Sequence, residues 1–247
     1  MHRFFLPDHA FQGDEIVFPV EPARQILRVL RLRIGEKVAA LDNLGWEFRV
    51  ELVEINPARV KGRILGKQPV SGEPPVHLHM FLCLSQREKF EWMLQKCTEA
   101  GAAEFTPVLS SRALVQDFPA LENKYQRWSR IIQESAEQSG RGRIPQLNGP
   151  VKYDAAVGQA TANSILCLLA WENEKTLRLA DALIGQKPGA AVSLLIGPEG
   201  GLSDEEAELA VRLGWRPVSL GRGILRMETA ALVAAALTVD WFEANSG

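Results

Sequence analysis

Residues 193–206 read SLLIGPEGGLSDEE, a stretch that joins an apolar strand, a glycine-rich turn and the start of a charged helix. Three glycines fall within residues 197–201. Ser203 and Glu206 have the spacing of a capping box, which predicts that a helix begins at this point. The turn therefore follows a central strand, at the edge where open α/β sheets bind ligands.

The residues of this first glycine turn disfavour a phosphate ligand. No Gly-Lys-Ser/Thr follows, and the G-x-x-G-G spacing differs from G-x-G-x-x-G. Pro198 removes a backbone donor, and carboxylates crowd the stretch from Glu199 to Glu206. A cationic or neutral ligand with hydrogen-bonding edges fits better. On spacing alone, an equally open alternative is that the glycines only turn a strand into a helix.

A second glycine turn lies in SLGRGILRMETAA, residues 219–231, directly before an Ala-rich helix. Arg226 and Glu228 stand at the start of that helix, from which both side chains can project into the crevice beside the first turn. Taken alone, the pair also fits an ordinary surface salt bridge.

Length and composition bound the class of protein. The 247 residues suit one large domain or two modest ones, and a net charge of −2 leaves nucleic-acid binding to local basic patches. Cys83, Cys97 and Cys167 stand in apolar contexts outside any C-x-x-C pair, which favours buried thiols. The N-terminus lacks a signal-peptide pattern, and no apolar run reaches the roughly 18 residues that span a bilayer. We therefore expect a cytoplasmic protein.

The pattern of apolar residues changes near residue 70. Residues 1–70 alternate in short runs and predict a small β-barrel, interrupted by one helix over EPARQILRVLRLRIG. A Pro-, Gly- and Ser-rich linker covers residues 67–76. Beyond it, apolar strands alternate with helices, which predicts an α/β fold with a mostly parallel sheet covered on both faces. The predicted strands are VHLHMFLCLS, EFTPVLS, SILCLLAW, AVSLLIG and RPVSLG, and the predicted helices are QREKFEWMLQKCTEAGA, about 120–139, LSDEEAELAVRLG and about 228–243.

Three details of these elements are specific enough to check. Ser85 and Glu88 form a capping-box pattern before QREKFEWMLQKCTEAGA, and Gly101 is placed to end that helix. In the helix of residues 120–139, an inward face is predicted for Leu121, Trp128, Ile131 and Ile132. His77 and His79 share one face of a strand; with no further ligand evident nearby, a packing role is favoured over a metal site.

The two glycine turns, about 25 residues apart, resemble the paired signature of the SPOUT methyltransferases. The closest resemblance is to the RsmE family, small-subunit rRNA uridine-N3 methyltransferases of the SPOUT class. Further agreement lies in RFFLP, QILRVLRLRIGEKV, REKFEWMLQKCTEAGA, SSRA and EQSGRGRIPQL, so that the resemblance covers nearly the whole chain.

The resemblance implies a PUA-like β-barrel RNA-binding domain over residues 1–70 and a SPOUT methyltransferase domain with a trefoil knot over residues 74–247. It implies S-adenosyl-L-methionine as cofactor, a homodimer with pockets at the subunit interface, and small-subunit (16S) ribosomal RNA or the 30S subunit as partner. No membrane and no metal is implied. Three strand ends are expected to hold the cofactor through Leu169, Ala170, Ile196, Gly197, Glu199, Gly200, Gly201, Leu220, Gly221, Ile224 and Leu225.

The same resemblance gives roles to charged residues. Uridine N3 must lose a proton on methylation; Arg226 is expected to stabilise the developing negative charge, and Glu228 to accept the proton or orient Arg226. RNA binding is expected from basic patches, one of them on a single face of the first helix with i, i+4, i+7 spacing, although a solvated face is the alternative. The candidate RNA-binding residues are Arg3, Arg24, Arg28, Arg31, Arg33, Arg112, Arg141 and Arg143.

Two other functions stay open at this point. The first is a non-catalytic RNA-binding module on a SPOUT-like scaffold, against which both glycine turns and the Arg226/Glu228 pair argue. The second is a related SPOUT enzyme that acts on transfer RNA; the N-terminal QILRVLR segment favours the ribosomal branch by resemblance alone.

Overall fold

The computed structural model describes residues 1–113 and 118–246, with residues 118–123 described as backbone only. Its contacts divide the chain into two compact units. The N-terminal unit consists of Met1–Glu73 together with Ala136–Ile144, and the C-terminal unit consists of Pro74–Ser135 together with Pro145–Gly247. The EQSGRGRI segment therefore packs with the N-terminal unit, although it lies far along the chain.

The N-terminal unit is built on a mixed six-stranded sheet with the order β1-β4-β5-β6-β3-β2. β1 pairs parallel with β4, and the remaining pairs are antiparallel. Its core contains the fully buried side chains Ile16, Ile26, Val38, Val50 and Leu52. The strands are β1 (Arg3–Phe5), β2 (Phe11–Gln12), β3 (Glu15–Val17), β4 (Lys37–Leu41), β5 (Trp46–Ile55) and β6 (Val60–Pro69), and a 3-10 turn covers Asp8–Ala10.

The helix of this unit differs from the single α-helix that the sequence predicts. An α-helix, α1, covers only Val20–Arg24, a π-helix continues over Gln25–Leu30, and Arg31 follows with a φ of 53°. A π-helix has a longer hydrogen-bond spacing than an α-helix, so i, i+4, i+7 spacing no longer marks one face. The prediction of one α-helical face for Arg24, Arg28 and Arg31 is therefore wrong, although all three side chains are exposed.

The C-terminal unit contains a parallel sheet, as predicted. The strand order is β10-β8-β7-β12-β11-β13, β9 pairs with β8, and every pairing is parallel. β12 lies in the middle of this sheet and is buried on both faces, which explains its uninterrupted apolar sequence. The strands are β7 (His77–Cys83), β8 (Glu104–Leu109), β9 (Gln146–Leu147), β10 (Val151–Lys152), β11 (Leu166–Ala170), β12 (Ala191–Ile196) and β13 (Arg216–Val218).

The four helices predicted for this part of the chain are present, and two further helices, α4 and α5, were not predicted. Two of the four buried residues of α4 are alanines, and α5 is only 5 residues long, so neither produces a strong apolar period. The helices are α2 (Arg87–Glu99), α3 (Phe118–Ser139), α4 (Tyr153–Asn163), α5 (Leu179–Leu183), α6 (Asp204–Arg212) and α7 (Met227–Ala244). None of the described helices combines the length and apolarity needed to cross a membrane.

Of the two predictions for the ends of α2, the one for the start is wrong and the one for the end is confirmed. The predicted capping box of Ser85 and Glu88 is wrong, because the helix begins at Arg87 and Gln86 is the N-cap, without a side-chain cap bond. Ser85 is buried instead, which keeps its hydroxyl out of the capping position. At the other end, Gly101 takes a φ of 102° just after the helix, as predicted for a glycine that ends it.

Most of the predicted core residues are buried. The three cysteines are free and buried, and burial raises the pKa of both Cys83 and Cys97 to about 12. Trp128 and Ile132 of α3 are buried as predicted, whereas Ile131 is half-buried. The side chain of Leu121 lies outside the described residues.

His77 and His79 take part in a hydrogen-bonded cluster between β7 and β8. His77 Nε2 lies 3.0 Å from a carboxylate oxygen of Glu104, and His79 Nε2 lies 2.8 Å from Thr106 Oγ1. Asn148 donates from Nδ2 to Glu104 Oε1 at 2.7 Å and to Thr106 Oγ1 at 2.8 Å. These bonds give both histidines a structural role at the edge of the sheet where β7 begins.

The surroundings lower the pKa of two groups in this cluster. Burial lowers the pKa of His79 from 6.5 to about 4, and the hydrogen bond with His77 lowers the pKa of Glu104 from 4.5 to about 2. Between about pH 4 and 6.5, the unfolded chain protonates residue 79 while the folded chain keeps it neutral. Stability is therefore lost through His79 as the pH falls through this window, and through Glu104 only below pH 4.5.

We expect the free energy of unfolding to fall by about 2 kcal/mol through His79 between pH 7 and pH 5, because one pKa unit corresponds to about 1.4 kcal/mol. Urea unfolding at a series of pH values measures this dependence. His79→Gln keeps a hydrogen-bonding nitrogen but does not titrate, so its pH dependence should be shallower by that amount. Exposed His9→Gln is the control; equal slopes for His79→Gln and the wild type would contradict the prediction.

Candidate functional site

A cavity of about 500 Å³ opens at the carboxyl ends of β11, β12 and β13, entirely within the C-terminal unit. Its size lies in the range of sites for small organic ligands. The first and second glycine turns both line it, so the structure brings them together. Leu169 is buried inside β11 and does not line the cavity. All the other predicted cofactor residues line it, namely Ala170, Ile196, Gly197, Glu199, Gly200, Gly201, Leu220, Gly221, Ile224 and Leu225.

The first glycine turn is fixed by the capped helix that follows it. Ser203 Oγ accepts from the backbone N–H of Glu206 at 3.2 Å, and Glu206 Oε2 accepts from the N–H of Ser203 at 3.0 Å. The predicted capping box is therefore present. The second oxygen of Glu206 accepts from the N–H of Ser111 at 2.7 Å, which ties the loop after β8 to the same helix start.

Gly201 is the residue of this turn that requires glycine. Its φ of 70° lies in the left-handed region, which side chains disfavour. A Cβ atom at this position would also lie 2.6 Å from Glu172 Oε1. At Gly200, by contrast, a Cβ atom would lie at an ordinary 3.7 Å from the Cβ of Arg112. The turn therefore depends on the backbone conformation of Gly201, with a carboxylate close to its main chain.

Arg112, which the sequence assigned to RNA binding, contacts the first glycine turn. Its Nη1 donates to the carbonyl oxygen of Gly200 at 3.2 Å and to that of Leu202 at 3.3 Å. These bonds hold the turn from outside the cavity, because Arg112 itself is not a lining residue. Arg112 is therefore positioned to support the turn.

The second glycine turn presents an apolar surface to the cavity. Gly221 has a φ of 140°, and the hydroxyl of Ser219 bonds to both its N–H and its carbonyl oxygen, at 3.3 and 3.1 Å. After this turn, Leu225 is half-buried and Ile224 is 82% exposed. Side chains this apolar at the wall of a cavity suit the face of a flat ring system.

Charged residues that are not among the predicted site residues also line the cavity. Lys89 of α2 forms an ion pair with Glu199 at 2.7 Å, which spans from the helix to the first glycine turn. Glu172, Glu174 and Lys175 come from the loop after β11. The charged run WENEK directly after an apolar strand was the available signal for this loop.

Glu174 fixes the conformation of the loop after β11. Its Oε1 accepts from the hydroxyl and the N–H of Thr176, both at 2.6 Å, and from the N–H of Leu177 at 2.9 Å. The hydrogen bond from the Thr176 side chain is the main reason that its pKa is lowered to about 2. A permanently ionised carboxylate therefore borders the cavity.

Arg226 and Glu228, the predicted catalytic residues, both line the cavity. Arg226 is the N-cap of α7 and is exposed, and Glu228 lies in the first turn of the helix. Glu228 Oε2 is buried and has no hydrogen-bond partner among the described residues. Such an atom is costly to bury unless a ligand satisfies it. Two residues of the cavity wall therefore carry an exposed guanidinium and a carboxylate oxygen without a hydrogen-bond partner.

The remaining basic residues predicted to bind RNA lie in the N-terminal unit, where their environments differ. Arg24, Arg28, Arg31 and Arg33 are exposed. Arg141 is only 3% exposed, so its guanidinium is held inside the unit.

Ion pairs and backbone contacts hold the other arginines of this unit. Arg3 forms an ion pair with Glu47 at 2.6 Å, and Arg141 forms one with Glu73 at 2.9 Å. The exposed Arg143 donates to the carbonyl oxygen of Leu44 at 3.2 Å.

We expect Arg112→Ala to raise the Kd of the expected cofactor about three- to tenfold without RNA, because hydrogen bonds of about 1 kcal/mol each no longer hold the turn. Titration calorimetry measures this affinity. Arg212→Ala, at the far end of α6, is the matched control and should bind normally. Unchanged cofactor binding in Arg112→Ala, together with weaker RNA binding, would return Arg112 to the role predicted from the sequence.

Comparison with known proteins identifies the family of this chain. Residues 72–239 match the family described as an RNA methyltransferase domain. Ribosomal RNA small subunit methyltransferase E of Synechocystis is 35% identical over 209 residues, which cover 85% of this chain and 67% of that protein. The protein of the same name from Mesomycoplasma hyopneumoniae is 34% identical over 232 residues, with 94% and 96% covered.

Solved structures of methyltransferases are similar to this chain over nearly its whole length. A ribosomal RNA small subunit methyltransferase E from Neisseria gonorrhoeae, bound to S-adenosyl methionine, superposes with a TM-score of 0.86 at 28% identity and covers 96% of each chain. A methyltransferase from Legionella pneumophila, in complex with the cofactor SAM, gives a TM-score of 0.84 at 31% identity, covering 99% of this chain and 98% of that one. The chain therefore belongs to the RNA methyltransferase family that includes ribosomal RNA small subunit methyltransferase E.

Proposed function

We propose that this chain transfers the methyl group of S-adenosylmethionine to N3 of a uridine in 16S, small-subunit ribosomal RNA. The observation that carries the proposal is the convergence of the two glycine turns, Arg226 and Glu228 on one cavity. The relatives support it, because they are named as small-subunit ribosomal RNA methyltransferases and two neighbouring structures hold S-adenosylmethionine.

The cavity fits this cofactor in size and in charge. Its volume of about 500 Å³ suits a nucleoside with an amino-acid tail. The apolar side chains of Leu220, Ile224 and Leu225 would cover the adenine faces, and backbone groups of the glycine turns would meet its polar edges. When bound, S-adenosylmethionine supplies an electrophilic methyl group on a positively charged sulfur. Glu172 and the ionised Glu174 place carboxylates at the cavity wall, which such a sulfur favours, whereas Glu199 is paired with Lys89.

Glu228 and Arg226 would supply a proton acceptor and a positive charge for the reacting uridine. Methyl transfer would form an N3–C bond and break the bond between the methyl carbon and the sulfur, which leaves S-adenosylhomocysteine. The N3–H bond would break as well, so a group in the site has to take the proton. The unpartnered Oε2 of Glu228 is an acceptor for it. The negative charge that develops on O2 and O4 is stabilised by the guanidinium of Arg226.

The N-terminal unit would bind the RNA. Its mixed sheet supports a PUA-like barrel, and the exposed Arg24, Arg28, Arg31 and Arg33 supply positive charge for phosphates. We leave Arg141 out of this surface because it is buried in an ion pair. The proposal includes domain boundaries near residues 70 and 74, a trefoil knot in the C-terminal domain, a homodimer with pockets at the subunit interface, and action in the cytoplasm.

The buried Oε2 atom of Glu228 separates this proposal from a non-catalytic RNA-binding module. A binding scaffold gains nothing from an unsatisfied acceptor in a cavity, because leaving it buried destabilises the fold. An enzyme acting on transfer RNA would keep the same cavity, so the substrate has to be tested directly.

We expect the purified protein to bind S-adenosylmethionine and its demethylated product, S-adenosylhomocysteine, because the cavity has the size and polarity for both. Titration calorimetry measures the binding. With donor and undermethylated small ribosomal subunits or their RNA, a uridine should acquire an N3-methyl group, mapped by mass spectrometry of RNA digests. Methyl transfer to transfer RNA alone would reject the ribosomal substrate, and an absence of donor binding would reject the enzyme.

We expect Arg226→Ala and Glu228→Gln each to lower kcat more than tenfold while leaving the donor Kd within about twofold, because each group acts on the transition state. Single-turnover methyl transfer at saturating RNA measures the rate. The matched controls are Arg222→Ala, in the same glycine turn, and Glu208→Gln, exposed on α6. A near-normal rate in either active-site variant would remove that residue from the mechanism.

A further inference from the structure

The hairpin turn between β4 and β5 exposes large apolar side chains on the N-terminal unit. Leu44 at its tip is 70% exposed, and Trp46, the first residue of β5, is 40% exposed. Neither residue belongs to the C-terminal cavity. Exposing apolar side chains of this size to water is unfavourable in free energy, and a binding partner that covers them removes this penalty.

The turn is rigid, unlike most exposed loops. Asp42 Oδ1 accepts from the backbone N–H of Leu44 at 2.8 Å and from that of Trp46 at 3.1 Å. Asn43, in the left-handed region, accepts through Oδ1 from the N–H of Ile144 at 2.7 Å. The turn is therefore held by its own strand and by the EQSGRGRI segment, and Trp46 is presented at little cost in conformational entropy.

Two cations flank the exposed side chains. The ammonium of Lys67 lies 4.4 Å from the centre of the Trp46 ring and 5.0 Å from that of Phe48. Arg143 is exposed and donates from Nη2 to the carbonyl oxygen of Leu44 at 3.2 Å. We call Leu44, Trp46, Lys67 and Arg143 the hairpin platform.

Two of the carboxylates near the hairpin platform, Glu47 and Glu73, are neutralised by ion pairs. Glu47 is 6% exposed and forms an ion pair with Arg3, and Glu73 forms one with Arg141. The carboxylate of Asp42 accepts from the two backbone amides of the turn. Lys67 and Arg143 therefore dominate the charge that the platform presents, and the favoured partner is an anion.

We propose that the hairpin platform binds one unpaired nucleotide of the RNA substrate, with the base stacked on Trp46 and the adjoining phosphates held by Lys67 and Arg143. An aromatic side chain with flanking cations suits a flat base joined to a phosphate. A base-paired duplex keeps its base faces stacked in its interior, and the acidic side chains of a peptide carry no ring to stack. This inference rests on the proposed function, since it takes RNA as the substrate.

The test compares Trp46→Ala and Trp46→Phe with Trp92→Ala, in the full-length protein. Trp92 is the matched control because it is 37% exposed on α2 of the C-terminal unit. Fluorescence anisotropy gives the Kd of a labelled single-stranded oligoribonucleotide and of a duplex of the same sequence. Thermal melting checks that each variant is folded.

We expect Trp46→Ala to raise the single-strand Kd at least fivefold, as loss of one stacked base predicts. Trp46→Phe should keep most of the affinity, and neither variant should change duplex affinity or the donor Kd. An unlabelled oligonucleotide should quench tryptophan fluorescence in the wild type, and Trp46→Phe should lose part of that quenching while still binding. Lys67→Glu should weaken binding of the single strand even if Trp46→Ala fails to fold.

Equal single-strand affinities for Trp46→Ala and Trp92→Ala would overturn the inference, provided that the wild type binds RNA and methylates it. Weaker binding of Trp46→Ala to the assembled subunit but not to free RNA would also overturn it, because the partner would then be a ribosomal protein. A wild type that neither binds nor methylates RNA would instead reject the proposed function itself.

Discussion

The site depends on one short connection, the turn that leaves β12 at Ile196 and enters α6 at Asp204. A buried central strand ends there, and a capped helix begins a few residues later. The left-handed conformation of Gly201 makes this short connection possible and leaves its backbone without a side chain. Because the strand is fixed by both neighbours and the helix by its capping box, the main chain at the cavity wall is held before any ligand arrives.

Support for this turn comes from groups that do not belong to the cavity wall. Arg112 holds two carbonyl oxygens of the turn, and Glu206 connects the helix start to the loop after β8. A site that binds mainly through backbone groups cannot be preorganised by its own side chains. Such a site needs neighbouring side chains to hold the loop. Arg112, which the sequence predicts to bind RNA, makes such contacts with the first glycine turn.

Charge is distributed differently over the two units. Around the cavity, the carboxylates of Glu172, Glu174 and Glu228 belong to the wall, and one oxygen of Glu228 has no hydrogen-bond partner among the described residues, which suits a positively charged donor. In the N-terminal unit, the carboxylates near the hairpin platform are held in ion pairs or turn bonds, and arginines and lysines remain exposed. A chain with a net charge of −2 thus places carboxylates around the cavity of one unit and exposed arginines and lysines on the other.

The sequence by itself determined the parallel sheet, the four predicted helices of the C-terminal unit and the two glycine turns. The apolar period, the capping residues and the glycines that indicate these elements each depend on residues close together in the chain. Of the cofactor residues that the resemblance to a known family predicts, all except Leu169 line the cavity. Only the tertiary structure decided that Leu169 is inside the sheet, that Arg141 is buried, that Arg112 supports the turn and that the loop after β11 borders the cavity. The π-helix that precedes Arg31 is likewise visible only in the tertiary structure. The physical reason is that burial, ion pairing and convergence of loops depend on contacts between residues far apart in the chain, which no local pattern records.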